Sequence, residues 1–227
     1  VEEKMENLVI AIDGPAGAGK STVAQIVAQR LAYTYIDTGA MYRAVAWKAL
    51  QLSKFASEDI AAIAADIDIQ LTYKNGCTFV QIDGQDATEA IRTPEVSKMV
   101  AEVAQIADVR RYLLILQRRM AENGQVVMDG RDIGTHVLPN ADIKIFLTAS
   151  IEARALRRWR ELIAKGYQVD FEQLKADIAC RDKKDCEREF APLVQAEDAV
   201  FLDTTHLSIE EAVCEILRLC DKRISDV

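Results

Sequence analysis

Residues 8–22, Leu-Val-Ile-Ala-Ile-Asp-Gly-Pro-Ala-Gly-Ala-Gly-Lys-Ser-Thr, constrain this chain more than any other stretch. An apolar run that reads as a buried strand passes through a glycine-rich turn into the start of a helix. Gly14, Gly19, Lys20 and Ser21 fill the fixed positions of the P-loop pattern G-x-x-x-x-G-K-[ST]. The pattern has a physical basis: phosphate oxygens must be held by backbone N–H groups, and glycine lets the backbone approach them without a Cβ in the way. The helix that begins near Lys20 points its positive end at the same anion. Lys20 is spaced to reach β and γ phosphates and the Ser21 hydroxyl to ligate Mg2+, with Gly17 a third glycine in the loop and Thr22 a second hydroxyl behind it.

Within 227 residues, one α/β core with insertions is the simplest arrangement around such a loop. Half of the residues are hydrophobic and 28% are charged, the balance of a soluble globular protein. The formal net charge is −8, from 36 acidic and 28 basic residues, which argues against long nucleic acid as a partner. A small phosphorylated ligand needs only a local cluster of arginines. The five cysteines form no C-x-x-C pair and their odd count argues against a disulfide framework, so reduced thiols in a cytoplasmic protein are expected. The first seven residues are mostly charged or polar and the apolar run after them ends at Asp13, too early for a signal peptide or a membrane span. Neither export nor membrane association is expected.

Beyond the loop, Val23, Ile26, Val27 and Leu31 recur at helical spacing and a short strand over 33–36 leads to Asp37, completing a βαβ unit. Thr38 is placed to cap a helix over 39–52, and 58–66 reads as a short alanine-rich helix. Then the period changes. Ile69, Leu71 and Tyr73 alternate with polar residues, Asn75-Gly76 follows and 78–82 alternates again, which predicts an antiparallel hairpin on a type I′ turn. A hairpin does not belong in a parallel sheet, so 67–95 reads as an inserted subdomain closed by Pro94. Two helices are expected within 95–122, strands at 125–128 and 143–147, and a helix capped by Ser150 and ended by Gly166. A charged helix over 171–189, a strand over 199–202 and a helix over 208–223 with Ser208 and Glu211 as a capping box complete the chain.

Several charged clusters sit at strand ends or on helix faces. Asp37 and Asp129 can be helix caps or can orient waters on Mg2+. Arg181, Asp185 and Arg188, at i, i+4 and i+7, share one helical face, either as a solvated ion-pair ladder or as a hydrogen-bonding surface for a sugar and a phosphate. Arg154, Arg157 and Arg158 are either a basic surface or cations for the charge that builds on a transferred phosphoryl group. His136 and His206 have no second ligand at metal spacing, and Trp47, Trp159 and the methionines read as core.

Taken together, these residues resemble the bacterial cytidylate kinases, a branch of the nucleoside monophosphate kinases, and the resemblance runs essentially end to end. It rests on the blocks at 14–22, Asp-Thr-Gly-Ala-Met-Tyr-Arg at 37–43, Ile-Arg-Thr-Pro-Glu-Val-Ser at 91–97, Asp-Gly-Arg-Asp-Ile-Gly-Thr at 129–135, Lys-Ile-Phe-Leu-Thr-Ala-Ser at 144–150 and Arg-Asp-x-x-Asp-x-x-Arg at 181–188. The resemblance implies a single P-loop kinase domain over 1–227, with a parallel sheet of about five strands, helices on both faces, a monophosphate-binding insert at 67–95 and a small helical lid at 154–168.

It also implies roles. Gly14, Pro15, Ala16, Gly17, Ala18, Gly19, Lys20, Ser21 and Thr22 would hold ATP with Mg2+. Arg43, Arg110, Arg131 and Arg188 would hold the acceptor phosphate beside Thr38, Asp132 and Arg110 would read the base, and Arg181 and Asp185 the ribose. Lys20, Arg131 and the lid residues Arg154, Arg157 and Arg158 would serve the transfer itself. Thr38 and Ala101 stand where the family usually has serine, and Ala101 removes one polar group near the base.

The implied reaction is ATP plus CMP or dCMP giving ADP plus CDP or dCDP, by a cytoplasmic monomer acting on small molecules. No general base is required, because a phosphate monoester with a second pKa of about 6 is largely ionised at neutral pH. Rival readings are a kinase for UMP or AMP, a nucleotide-dependent switch, and a nucleic-acid ATPase. The chain lacks the N-K-x-D and D-x-x-G motifs of a GTPase switch, and its acidic balance disfavours the last reading.

Overall fold

The computed structural model describes residues 7–74 and 76–225. Strand β1 (Val9–Asp13) is buried almost throughout and leads through the glycine-rich turn into helix α1 (Lys20–Leu31). There follow β2 (Thr34–Asp37), α2 (Thr38–Gln51), α3 (Ser57–Asp66), β3 (Ile69–Lys74), β4 (Cys77–Ile82), β5 (Gln85–Asp86), α4 (Pro94–Val103) and α5 (Ala107–Met120). The second half runs β6 (Val126–Gly130), β7 (Ile143–Thr148), α6 (Ile151–Ala164), α7 (Phe171–Glu187), β8 (Val200–Asp203) and α8 (Ile209–Ser225).

Five strands form a parallel sheet in the order β2-β6-β1-β7-β8. Its inner strands are apolar on both faces because both are covered. On one side α1 and α8 bury Val23, Val27, Val213 and Ile216 against Ile10, Ile12 and Ile145. On the other, Ala121 and a π-helical turn over Ile133–Val137 cover Ala11, Ile36 and Met128. Register matters more than the count of strands. Asp37 pairs with Asp129 across β2 and β6, and Asp13 pairs with Gly130 across β1 and β6, so three carboxylates line up at the carboxyl edge where α/β sheets receive ligands.

The alternating segment forms a separate antiparallel sheet, β3-β4-β5, in which Ile69 faces Ile82 and Lys74 faces Cys77. The expected type I′ turn involves Asn75, outside the described residues, while Gly76 has φ +76°. The third strand was not expected. Gln85 and Asp86 are poor strand formers, but Asp83 and Gly84, at φ +51° and +76°, fold the chain straight back onto β4. Thr78, Val80 and Ile82 are the buried face of β4, and the two apolar members join a core shared with α2, α3, α4 and α5.

Two expectations at helix ends are corrected. Asp37, not Thr38, caps α2: its extended backbone leaves the strand, and its carboxylate accepts the Ala40 N–H at 2.9 Å. Thr38 is already helical, and its hydroxyl donates to the Asp129 carbonyl at 2.7 Å. Helix α7 ends at Glu187, so Arg188 is extended, with ψ 143°, and does not continue the face of Arg181 and Asp185. Ser150 and the Ser208–Glu211 pair cap as expected, with Glu211 N–H to Ser208 Oγ at 3.2 Å and Ser208 N–H to Glu211 Oε2 at 2.8 Å.

Met41, Met99 and Met128 are core and Trp47 packs against it, whereas Trp159 lies outside the apolar clusters and donates its indole N–H to Val169 O at 3.1 Å. Met5 lies outside the described residues. Among those described, no helix is long and apolar enough to cross a membrane.

Candidate active site

The loop between β1 and α1 needs its glycines. Gly14 has φ +147°, and a Cβ there would lie 1.9 Å from the Leu147 carbonyl oxygen of β7. Gly17, at φ +74°, lets the first turn of α6 approach, since a Cβ would meet Arg154 O at 3.1 Å. Gly19 caps α1 in a left-handed conformation without any side-chain hydrogen bond, which leaves the N–H groups of the first turn to an anion. Lys20 is 5% exposed and donates from Nζ to Pro15 O at 2.8 Å. Burial above all, then the positive charges of Arg131 and Arg181, pushes its pKa well below the ordinary lysine range. Ser21 and Thr22 open the helix and are exposed.

The three aligned carboxylates do different things. Asp37 is the α2 cap already described. Asp13 accepts the N–H groups of Ile133 and Gly134, both at 2.7 Å, and so fixes the turn that follows Arg131 and Asp132. Burial pushes the Asp13 carboxyl up to about 6 despite those two bonds. Asp129 accepts from Ser21 Oγ at 2.9 Å on one oxygen and from Tyr35 Oη at 2.6 Å on the other, and burial, then Asp37, also raises its pKa.

Beyond β6 the guanidinium groups converge. Arg110 Nη2 lies 2.6 Å from Asp132 Oδ2, Arg188 Nη2 lies 3.6 Å from Asp132 Oδ1, Arg188 Nη1 lies 3.2 Å from Asp185 Oδ1, and Arg131 Nε donates to Asp185 Oδ2 at 3.1 Å. Arg110, Asp132, Asp185 and Arg188 are all under a tenth exposed. Leaving the helix is what lets Arg188 face both carboxylates, anchored by donation to Ala191 O at 2.6 Å. Arg43 donates to Ser97 Oγ at 2.9 Å, and the buried Nε of Arg181 has no hydrogen-bond partner. Burial first, then Arg131 and Arg43, brings Arg181 down to about 10, and burial with Arg158, Arg92 and Arg131 likewise lowers Arg43.

On the far side of the loop, Arg154 is buried and donates to Ala149 O at 2.9 Å, to Ala16 O at 3.0 Å and to Asp182. Asp182 also accepts the Ala16 N–H at 3.0 Å, so both peptide groups of the loop's tip are tied to α6 and α7. Arg157 donates to Ala18 O at 3.1 Å and to Thr204 O at 2.5 Å. Only Arg158 of the three is held by an ordinary helix pair, to Glu161 at 2.7 Å.

Asp13, Tyr35, Asp182 and Thr204 were not foreseen as part of the site. Two of them lie inside or beside the motif blocks, at the end of β1 and within 181–188, and position there was the available signal. Among the described residues no group of three or more His, Cys, Asp or Glu side chains gathers at metal-binding distance, so protein donors alone would not make a complete metal site. The chemistry of Ser21 and Asp129 fits a cation shared with phosphate oxygens.

A parallel sheet, a glycine-rich loop with a buried lysine, and arginines gathered over the carboxyl edge define an α/β protein of the P-loop kinase class. A model of the cytidylate kinase family matches residues 10–222, and the chain belongs to that family. It is 51% identical over 224 residues to the cytidylate kinase of Caldicellulosiruptor bescii, covering 98% of this chain and 99% of that protein. It is 53% identical over 221 residues to that of a Geobacillus species, covering 96% and 98%, and 51% identical over 220 residues to that of Bacillus subtilis, covering 96% and 98%. A solved structure of an uncharacterized protein from Eubacterium ventriosum shares the fold alone, at TM-score 0.52 and 13% identity over 96% of this chain and 99% of that one.

Proposed function

We propose that the chain transfers the γ-phosphoryl group of ATP to CMP and dCMP. The observation that carries this reading is the gathering of Lys20, Arg43 and Arg181, each buried and each facing the positive charge of Arg131, in a protein of net charge −8. Such a cluster is relieved by polyanions on two sides, a triphosphate at the loop and a monophosphate opposite. Gly14 to Thr22 hold ATP, Arg43, Arg110, Arg131 and Arg188 receive the acceptor phosphate beside Thr38, and Arg181 with Asp185 binds the ribose. Asp132, held by Arg110 and Arg188, accepts from the exocyclic amine of cytosine. Ser21, with Asp129 behind it, would hold Mg2+ together with the phosphates, where the ion would neutralise charge on their oxygens. Lys20 and Arg158 stabilise charge on the transferred group, Arg131 bridges the two substrates, and Arg154 and Arg157 hold the loop in place.

In this reading 67–95 belongs to the subdomain that closes over the monophosphate, 154–168 forms the lid, and the chain works in the cytoplasm as a monomer, without nucleic acid or membrane. Ala101 lies on α4 one turn before Ala104, whose carbonyl accepts from Arg110 Nη1 at 3.3 Å. With no polar group at Ala101, discrimination against UMP is modest. The test is ADP production from ATP and Mg2+ with CMP, dCMP, UMP, AMP and GMP. CMP and dCMP are expected to lead with UMP next, and AMP as the best acceptor overturns the assignment.

A further inference from the structure

Asp129 is held from both sides, and only one of the holders belongs to the loop. The Ser21 hydroxyl has a single proton, and donating it to Asp129 Oδ2 leaves the Ser21 lone pairs free of the carboxylate to face a cation. That aim lasts only while the carboxylate does not rotate. Tyr35 supplies the restraint: its phenol, on β2, donates to Oδ1 at 2.6 Å, and the side chain is 2% exposed. The Tyr35 ring is in turn set edge-on to Tyr73 of β3, with centroids 5.4 Å apart and planes at 73°. Tyr73 donates to Gln25 O of α1 at 3.4 Å.

We propose that Tyr35 is a positioning residue for the cation bound with ATP: it locks Asp129 so that the Ser21 oxygen stays presented to the metal. The inference rests on the ATP and Mg2+ reading above and adds a residue that touches neither. Removing a hydrogen bond behind a metal site typically costs 10- to 100-fold in metal affinity or activity.

The test is ATP affinity by titration calorimetry with excess Mg2+ and with excess EDTA, for the wild type and Tyr35→Phe. The gain from Mg2+ is expected to shrink about tenfold in the variant. ATP affinity in EDTA and CMP affinity stay at wild-type values, a split that general loosening of the fold would not produce. A retained gain, or an equal loss with and without Mg2+, overturns the role of Tyr35. If the wild type itself gains nothing from Mg2+, the nucleotide reading fails and this inference with it. Should Tyr35→Phe fold poorly, the double variant Tyr35→Phe/Asp129→Asn removes the charge together with its donor. Its Mg2+ gain is expected to equal that of Asp129→Asn alone, because the role proposed for Tyr35 is carried by Asp129, and a further loss overturns the proposal.

Discussion

Lys20 is buried with its Nζ on a loop carbonyl and with Arg131 and Arg181 as electrostatic neighbours, a placement that weakens the free protein in return for what it does to a phosphate. Lys20→Met removes the repulsion and keeps the apolar stem, so Tm is expected to hold or rise. Loss of a preorganised cation at developing charge costs about 100-fold or more in kcat. Paired thermal melts and steady-state kinetics check this, and near-normal turnover would remove the role. A pH consequence follows. Burial and like charge favour neutral Lys20 in the free protein, below its ordinary pKa of 10.5, and a bound triphosphate restores the charged form. ATP binding therefore takes up protons, and uptake grows from about pH 7 to about pH 9, where ATP itself no longer titrates. Calorimetry in buffers of different ionisation enthalpy measures it, and Lys20→Met abolishes it. No uptake in the wild type would mean that the lysine is already charged when free.

In the proposed function helix α6 divides its arginines between structure and chemistry. Arg154 bridges Ala149, Ala16 and Asp182, so Arg154→Ala leaves a largely buried carboxylate without its cation and is expected to cost about 3 kcal/mol of stability. Arg158 has only the surface pair with Glu161, so Arg158→Ala leaves stability within about 0.5 kcal/mol. Its kcat should nonetheless fall about tenfold, with both KM values changed little. Denaturant unfolding and kinetics on the two variants separate these roles, and equal losses of stability would sink the division. The same helix shows what a sequence reveals. Its N-cap and its glycine stop follow from local rules, as do the loop of 14–22 and the alternation of β3 and β4. Its partners do not. The bond from Ala16 to Asp182 spans 166 positions and that from Arg131 to Asp185 spans 54, and no local pattern encodes either. Spacing put Arg188 on the α7 face because its pattern stayed helical. The helix ends at Glu187 with Arg188 extended, and that break carries Arg188 to Asp132.

In the proposed function the whole molecule sets a net charge of −8 against a site for two phosphorylated ligands, so long-range and local electrostatics act in opposite directions on the same substrates. Added salt screens the global repulsion over a Debye length of about 8 to 10 Å and so favours encounter. The arginines proposed to retain the acceptor phosphate, Arg110, Arg188 and the adjoining Arg131, lie mostly out of solvent and are screened far less. The acceptor KM is therefore expected to change by no more than about twofold when ionic strength rises severalfold. CMP saturation curves from low to moderate salt, with Mg2+ and ATP held saturating, give the answer. A tenfold rise in KM would show that the phosphate is gripped by screened surface charge, and the buried arginine–carboxylate network would then be a structural brace rather than the acceptor site.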